Sequence, residues 1–370
     1  MGGKMIVDNK RRKEFDVILL GIVLIIFLIG ILAIYSATQA KNLPRAESYV
    51  ARQAAWLAIG LVFLVAATKI SYQKFIDLSY ILYMVNIVLL VLVLVLGHVR
   101  LGAQRWFTIG NFAFQPSEFM KLTLVLALAA YVGQRKGAMD TLGSLVVPCI
   151  VVFVPFTLVL MQPDLGTALL LVPIFLSIIL VGGARLKYIV WMIASGILSA
   201  PFFWHALRDY QKQRLLVFIN PNIDPLGAGY TIIQSKIAIG SGGLLGKGWL
   251  NGTQNQLNFI PERHTDFIFS VIGEEWGFFG ALALVLLYYL IIQRAFNIAN
   301  LTSDRYGKCI ATGIAMLLSL QVIINIAMTM GMMPVVGIPL PLVSYGGSSL
   351  LATLVAIGLL LNVGMRRSTF

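Results

Sequence analysis

The sequence predicts an all-α polytopic membrane protein, with about ten transmembrane helices and one long extracytoplasmic loop carrying short interfacial helices. Three observations predict it. The 370 residues are 59% hydrophobic and only 12% charged, with a mean hydropathy of +0.88, whereas soluble domains carry about 25% charged residues. The apolar residues gather into runs near the ~20 residues that cross a ~30 Å hydrocarbon core. The lysines and arginines, finally, favour alternate connections, as the positive-inside rule expects of oriented spans.

The runs lie at 16–36, 53–69, 76–97, 117–133, 142–161, 165–183, 186–206, 267–293, 308–331 and 341–363. The first follows a basic K-R-R-K at 10–13, but its apolar core exceeds the about 7–15 residues of a signal peptide, so it reads as an uncleaved span. With the amino terminus inside, the inner segments hold Lys4 and that basic run, Lys69 and Lys74, Arg135 and Lys136, Arg185 and Lys187, Arg294, Arg305 and Lys308, and Arg366 and Arg367. The short outer connections hold only Lys41, Arg45, Arg52, Arg100 and Arg105. This bias places residues 1–15 and 364–370 in the cytoplasm and 207–265 outside as the long loop, within a single integral membrane domain, 1–370. The net charge of +13 is thereby assigned to orientation, and with no basic–aromatic interleaving after residue 13, nucleic acid is not an expected partner. Cys149 and Cys309 are far apart, without metal-ligand spacing, and read as packing residues.

Several outer-side features carry alternatives. R-W-F-T-I-G-N-F-A-F-Q-P-S-E-F-M-K, residues 105–121, reads as a loop turning into the fourth span at Pro116, where a missing N–H costs nothing. Glu118 and Lys121 share a helix face and can pair, either to fix the depth of the span or as part of a substrate site. Asp164, in the Q-P-D-L-G-T hairpin at 162–167, either caps the next helix or supports a site at the outer mouth. Residues 232–240, I-I-Q-S-K-I-A-I-G, suggest an amphipathic helix at the interface, packed on the bundle. The adjoining G-S-G-G-L-L-G-K-G-W, 240–249, fails as a nucleotide phosphate loop, since Ser241 replaces the first glycine and Gly248 the magnesium-binding hydroxyl residue. It is either flexible backbone or a set of N–H groups for a diphosphate, with Arg214, Lys236 and Lys247 adding positive charge.

The stretch from 255 to 280 is the most informative. Asp266 stands at its turn from polar loop into apolar helix, with Glu262, Arg263 and His264 just before it. On one reading Thr265 or Asp266 simply caps the eighth helix. Ser270 and Glu274, however, continue a polar stripe from it at i+4 and i+8, and a stripe entering a membrane bundle implies a polar cavity. His264 is either a second base or a hydrogen-bonding surface residue. Residues 332–350 are rich in Pro and Gly at membrane depth, where non-helical backbone must be buried or line a wet cavity. Ser344 and Tyr345 there are cavity-lining or packing groups.

Longer motifs then carry a resemblance. G-A-Q-R-W at 102–106, F-Q-P-S-E at 114–118, Q-P-D-L-G-T at 162–167, D-P-L-G-A-G-Y at 224–230, Q-S-K-I-A-I-G-S-G-G-L at 234–244, G-K-G-W-L-N-G-T-Q at 246–254, P-E-R-H-T-D-F-I-F at 261–269 and P-L-P-L-V-S-Y-G-G-S-S at 339–349 together resemble the SEDS family (shape, elongation, division and sporulation proteins). The division branch shares H-T-D-F-I-F and S-Y-G-G-S-S, while P-E-R-H and K-G-W-L-N-G-T-Q fit the elongation branch better. The resemblance implies ten spans and a peptidoglycan glycosyltransferase that polymerises lipid II into glycan strands at the outer face of the bacterial inner membrane. It implies a class B penicillin-binding protein transpeptidase as partner, within the elongation (rod) complex. The family's essential aspartate falls on Asp266, and Glu118 and Lys121 match a charged pair of importance there. In that chemistry Asp266 is the general base, its pKa raised by partial burial, and undecaprenyl diphosphate leaves. Arg105, Arg214, Lys236 and Lys247 are the candidates to stabilise the diphosphate. No cofactor is required by the sequence; a divalent cation, Mg²⁺ or Mn²⁺, is left open because no complete ligand set is present. A lipid II flippase, a division-type paralogue and a pure scaffold are the competing readings.

Overall fold

The computed structural model describes residues 15–39, 46–100, 103–109, 112–135, 137, 139–207 and 209–366. The N-terminal segment up to residue 14, Lys41, Arg45, Gly102, Lys136 and the tail from Arg367 lie outside the described residues. In chain order, α1 is Val17–Thr38, α2 Ala46–Lys69, α3 the short Tyr72–Asp77 and α4 Ser79–Leu96; strands β1 (His98–Arg100), β2 (Ala103–Ile109) and β3 (Phe112–Phe114) follow. Then come α5 Pro116–Gln134, α6 Leu142–Met161, α7 Leu165–Val181 and α8 Leu186–Ala206. The long loop after α8 holds α9 Asp209–Ile219, a 3-10 turn at Pro221–Ile223, α10 Ala228–Ser241 and the short α11 Thr253–Gln256. Finally α12 spans Ile268–Leu301, α13 Arg305–Thr329 and α14 Gly347–Arg366.

Each of the ten apolar runs is largely helical, although 76–97 crosses from α3 into α4 and 341–363 becomes helical only at Gly347. Seven helices, α1, α2, α4, α6, α12, α13 and α14, are long and apolar enough to cross a membrane on their own. α7 and residues 186–199 of α8 are apolar but shorter, and α5 carries two charges in its first turns. The chain is a mostly helical, multi-pass membrane protein.

The centre of the bundle is read from burial. In α13 and α14, 72% of the apolar window is buried inside the protein, against 22% in α2 and 28% in α4, so the former are core and the latter present apolar side chains to lipid. α2 packs along α14, α4 along α5, α1 along α12, and α5 and α7 both against α13. At Gly313 of α13 a Cβ would lie 2.7 Å from Val125 Cγ1 and 2.9 Å from Ile178 Cδ1. The missing side chain lets α5, α7 and α13 meet, the small-residue packing on which helix association in lipid depends.

The expected helical fold class is found, with three differences of detail. A small three-stranded antiparallel sheet, β1-β2-β3, is added to the helices, with Val99 opposite Gln104 and Thr108 opposite Ala113. The segment before Pro116 therefore satisfies its backbone by pairing with itself between α4 and α5, helped by the β-forming Trp106, Phe107 and Phe114. The tenth span begins at Gly347 rather than 341, because residues 332–346 stay non-helical.

The third difference concerns α12, which is two helices. At Gly277 the backbone turns to φ +65°, ψ −160°, a conformation open essentially to glycine alone. Such a break orphans carbonyls on one side and amides on the other. The 240–249 segment takes both: Lys247 N–H donates to Glu274 O (3.0 Å) and Gly248 N–H to Glu275 O (3.0 Å), while Gly243 O accepts from Phe278 N–H (2.9 Å) and Leu244 O from Phe279 N–H (3.2 Å). The approach is backbone against backbone, since a Cβ on Gly277 would sit 2.2 Å from Gly246 N. Those N–H groups of the glycine-rich run are therefore spent on the broken helix, not offered to a diphosphate.

Candidate active site

Asp266 sits in the last turn of the outer loop, just before α12. Three consecutive main-chain carbonyls are held there. Tyr345 N–H donates to His264 O (2.9 Å), Ser344 Oγ to Thr265 O (2.6 Å) and Asn325 Nδ2 to Asp266 O (2.9 Å). The non-helical 338–345 segment thus acts as the backing of the aspartate turn. Asp266 does not cap α12: the N-cap is Phe267, with no side-chain cap bond, and among the described residues its carboxylate accepts no hydrogen bond.

Asp266 is half-buried as a residue, and its carboxylate is closely surrounded by protein. Burial, above all, pushes it up from 3.8 to about 6; the Glu262 carboxylate adds to the rise, Arg214 opposes it, and Asp164 and Arg105 act more weakly in the same two senses. An aspartate so placed is still ionised at neutral pH but far more basic than an ordinary one, which is what a general base needs. Opposite it lies Gly337, where a Cβ would approach Asp266 Oδ2 to 3.3 Å. The adjoining Pro334, Val335 and Val336 wall a cleft whose other sides are Arg105, Pro163, Leu165 and, from α9, Tyr210, Gln211, Arg214 and Leu215.

Among the described residues, Arg105 and Arg214 are the cations that line this cleft. Arg105 is anchored by Nε–H to Gln162 O (2.9 Å) and by a guanidinium bond to Pro163 O, with Nη1 3.7 Å from Asp164 Oδ2. Asp164 takes the capping role considered for it. Its Oδ1 accepts from Thr167 N–H (3.2 Å) and its Oδ2 from Thr167 Oγ (3.0 Å), capping α7, and it also holds Arg105 at the mouth. Arg214 is exposed, lies over the Tyr210 ring at 5.7 Å and reaches Val335 O at 3.4 Å.

Other sequence candidates are placed elsewhere. Lys247 is drawn to Glu274 at 2.8 Å and to Thr253 Oγ at 2.8 Å. Glu274 is fully buried and also accepts the Gln254 and Asn255 amides at 2.9 and 3.2 Å. Ser270 is buried against Ser235 Oγ at 2.6 Å, and Ser235 in turn donates to Thr329 O. The stripe Asp266–Ser270–Glu274 is therefore a seam to the outer loop below its first residue, and not the wall of an open cavity. Lys236 is exposed, its stem crossing Gly331, apart from the arginine pair. His264 packs with Tyr49 (5.3 Å) and Tyr345 (5.9 Å), and burial lowers its pKa, so it is neutral at pH 7. Ser344 is occupied by backbone, accepting from Leu340 N–H (2.8 Å) as it donates to Thr265. Glu118 and Lys121 form a pair closed on itself, both oxygens 2.8 Å from Nζ, only 4% and 2% exposed.

Sequence reading passed over Gln115, Asn325 and Gly337. Gln115 joins the start of α5 to its neighbours, its N–H donating to Ser348 Oγ (3.0 Å) and its amide to Ser117 Oγ (3.0 Å) and Asp164 Oδ2 (3.5 Å). Asn325 and Gln321, two amides four residues apart in an apolar run, were a usable signal, since polar groups inside a span are costly and mark a role.

Among known proteins, the family described as cell cycle protein, FTSW_RODA_SPOVE, matches residues 16–369. The chain is 40% identical over 367 residues to the peptidoglycan glycosyltransferase MrdB of Escherichia coli, covering 97% of this chain and 98% of that one. Its structure resembles a chain of a peptidoglycan synthase complex studied for the coordination of polymerization and crosslinking, with 36% identity, TM-score 0.82 and coverage of 96% and 99%. It also resembles the rod shape determining protein RodA of Thermus thermophilus, with 32% identity, TM-score 0.72 and coverage of 96% and 98%. With a family match across nearly the whole length and relatives well above 30% identity, the chain belongs to the FtsW/RodA/SpoVE family.

Proposed function

We infer that this chain is a peptidoglycan glycosyltransferase that polymerises lipid II at the outer face of the cytoplasmic membrane, on the elongation branch of its family. The observation that carries the mechanism is the Asp266 carboxylate, basic and with no hydrogen-bond donor among the described residues, beside a cleft lined by Arg105 and Arg214. In the proposed step a sugar hydroxyl of one substrate gives its proton to Asp266 as its oxygen attacks the anomeric carbon of another. The carbon–oxygen bond to undecaprenyl diphosphate breaks, and the electron pair leaves with the diphosphate. The donor is already activated, so no nucleotide is consumed. Arg105 and Arg214 meet the charge that develops on the leaving group, Arg105 with the fixed geometry that its anchors give it. Lys247 and Lys236 drop out of this role, the first because Glu274 holds it.

A divalent cation would find no cage of three or more His, Cys, Asp or Glu side chains among the described residues, and none of these steps passes through one. A class B penicillin-binding protein as partner in the rod complex is supported by the likeness to a synthase complex chain, and the cytoplasmic termini by the charge bias. The test is glycan formation from lipid II by purified protein, wild type against Asp266→Asn, with and without the transpeptidase and a chelator. Polymer from wild type and none from the variant supports the reading. Movement of lipid II across vesicles without polymer would instead make the chain a flippase.

A further inference from the structure

We propose that Asn325 is the positioning residue for Asp266, a single side-chain amide that clamps the aspartate turn to the wall of the cleft. The proposal rests on the reading of Asp266 as the base. Asn325 Nδ2 donates to Asp266 O at 2.9 Å and to Ile338 O at 2.8 Å. The two hydrogens of one planar amide diverge at a fixed angle, so the two carbonyls they bind are held at a fixed separation. Ile338 follows Gly337, the residue facing the Asp266 carboxylate. The clamp therefore sets the spacing between the carboxylate and the Pro334–Val336 side of the cleft.

Two further facts set Asn325 apart from the other groups holding this turn. Ser344 and Tyr345 come from the non-helical connection, whereas Asn325 stands on α13, a helix at the core of the bundle. It is 0% exposed, and its Oδ1 has no hydrogen-bond partner among the described residues. An amide retained there with its oxygen unpaired is a costly way to satisfy two carbonyls for stability alone. It is explicable if the placement of the neighbouring carboxylate matters.

The experiment uses the full chain with lipid II and compares Asn325→Leu, Asn325→Asp, Asp266→Asn and Ser319→Ala, the last removing a buried hydroxyl that bonds only its own helix at Ala315 O. Asn325→Leu should lower kcat about 100-fold, the scale of a misplaced reacting group, with KM within about twofold of wild type. Asn325→Asp adds a carboxyl beside Asp266, which already faces Glu262 and Arg214 of the outer loop, Asp164 of the α7 cap and Arg105 of β2. Its acid limb should move to higher pH, and its kcat should fall with KM near that of wild type, because a carboxyl cannot donate to both carbonyls at once. If Asn325→Leu does not fold while Ser319→Ala does, Asn325→Asp decides. Loss of polymerisation in Asp266→Asn together with wild-type rate and limb in Asn325→Asp overturns the positioning role alone. Polymerisation by Asp266→Asn overturns the base, and the positioning role with it.

Discussion

The pH dependence of polymerisation tests the electrostatics of Asp266 most directly. With its carboxyl near 6, the ionised fraction is about ten-elevenths at pH 7 and about one-eleventh at pH 5, so kcat/KM should fall about tenfold between them. A carboxyl at its ordinary 3.8 would lose less than about 10% over that interval. Two exposed charges then allow the limb to be moved in opposite directions. Glu262→Gln removes the carboxylate that, after burial, does most to raise Asp266, and the limb should shift to lower pH. Arg214→Gln removes an opposing cation, and the limb should shift to higher pH, with KM also rising if Arg214 contacts diphosphate. Initial rates from lipid II at constant ionic strength, across roughly pH 5 to 8, give all three profiles. A wild-type limb below pH 5, or a shift of both variants in one direction, would refute the assignment of Asp266 as an elevated base.

Three other substitutions have defined outcomes. Because the folded pKa of Asp266 is raised, the fold disfavours its ionised form; this cost sets in as pH rises from 3.8 and is complete above about 6. Two units correspond to about 3 kcal/mol at most, less with solvent screening, so Asp266→Asn should melt above wild type at neutral pH, the gap closing in acid below about pH 4. Gly277→Ala places a Cβ against Gly246 N in a glycine-only conformation and should cost about 3 kcal/mol or more, seen as a lower melting temperature and faster proteolysis within 240–249. Lys247→Met leaves the buried Glu274 carboxylate with amides but no cation, at a cost of about 3 kcal/mol. The fraction that folds should keep wild-type KM, whereas a diphosphate ligand would lose it.

What was legible in the sequence follows from which forces act locally. Lipid forces each span to be apolar along its own length, so α1, α6 and α13 announce themselves without knowledge of their neighbours. The outer loop is under no such rule. β1 to β3 are short strands with aromatic but weakly alternating residues, and only their pairing makes them a sheet. Asp266 was legible because a carboxylate at the edge of an apolar run demands a reason, and Asp164 because Q-P-D-L-G-T spells a helix start. The stripe beyond Asp266 was legible as spacing but not as contact, since Ser235 and Lys247 reach Ser270 and Glu274 only after the outer loop folds back. The break at Gly277 was hidden inside W-G-F-F-G, where apolar residues on both sides let two helices pass for one.

The splice at Gly277 also limits how this protein can be recombined. Four main-chain bonds link the 243–248 run to both sides of the interruption, and main-chain bonds ask little of side chains but everything of backbone path. A chimaera that imports the long loop of a relative without the matching start of its eighth span would leave donors and acceptors stranded without partners. Exchanges cut after residue 280 should be inherited intact; those cut between 250 and 277 should not.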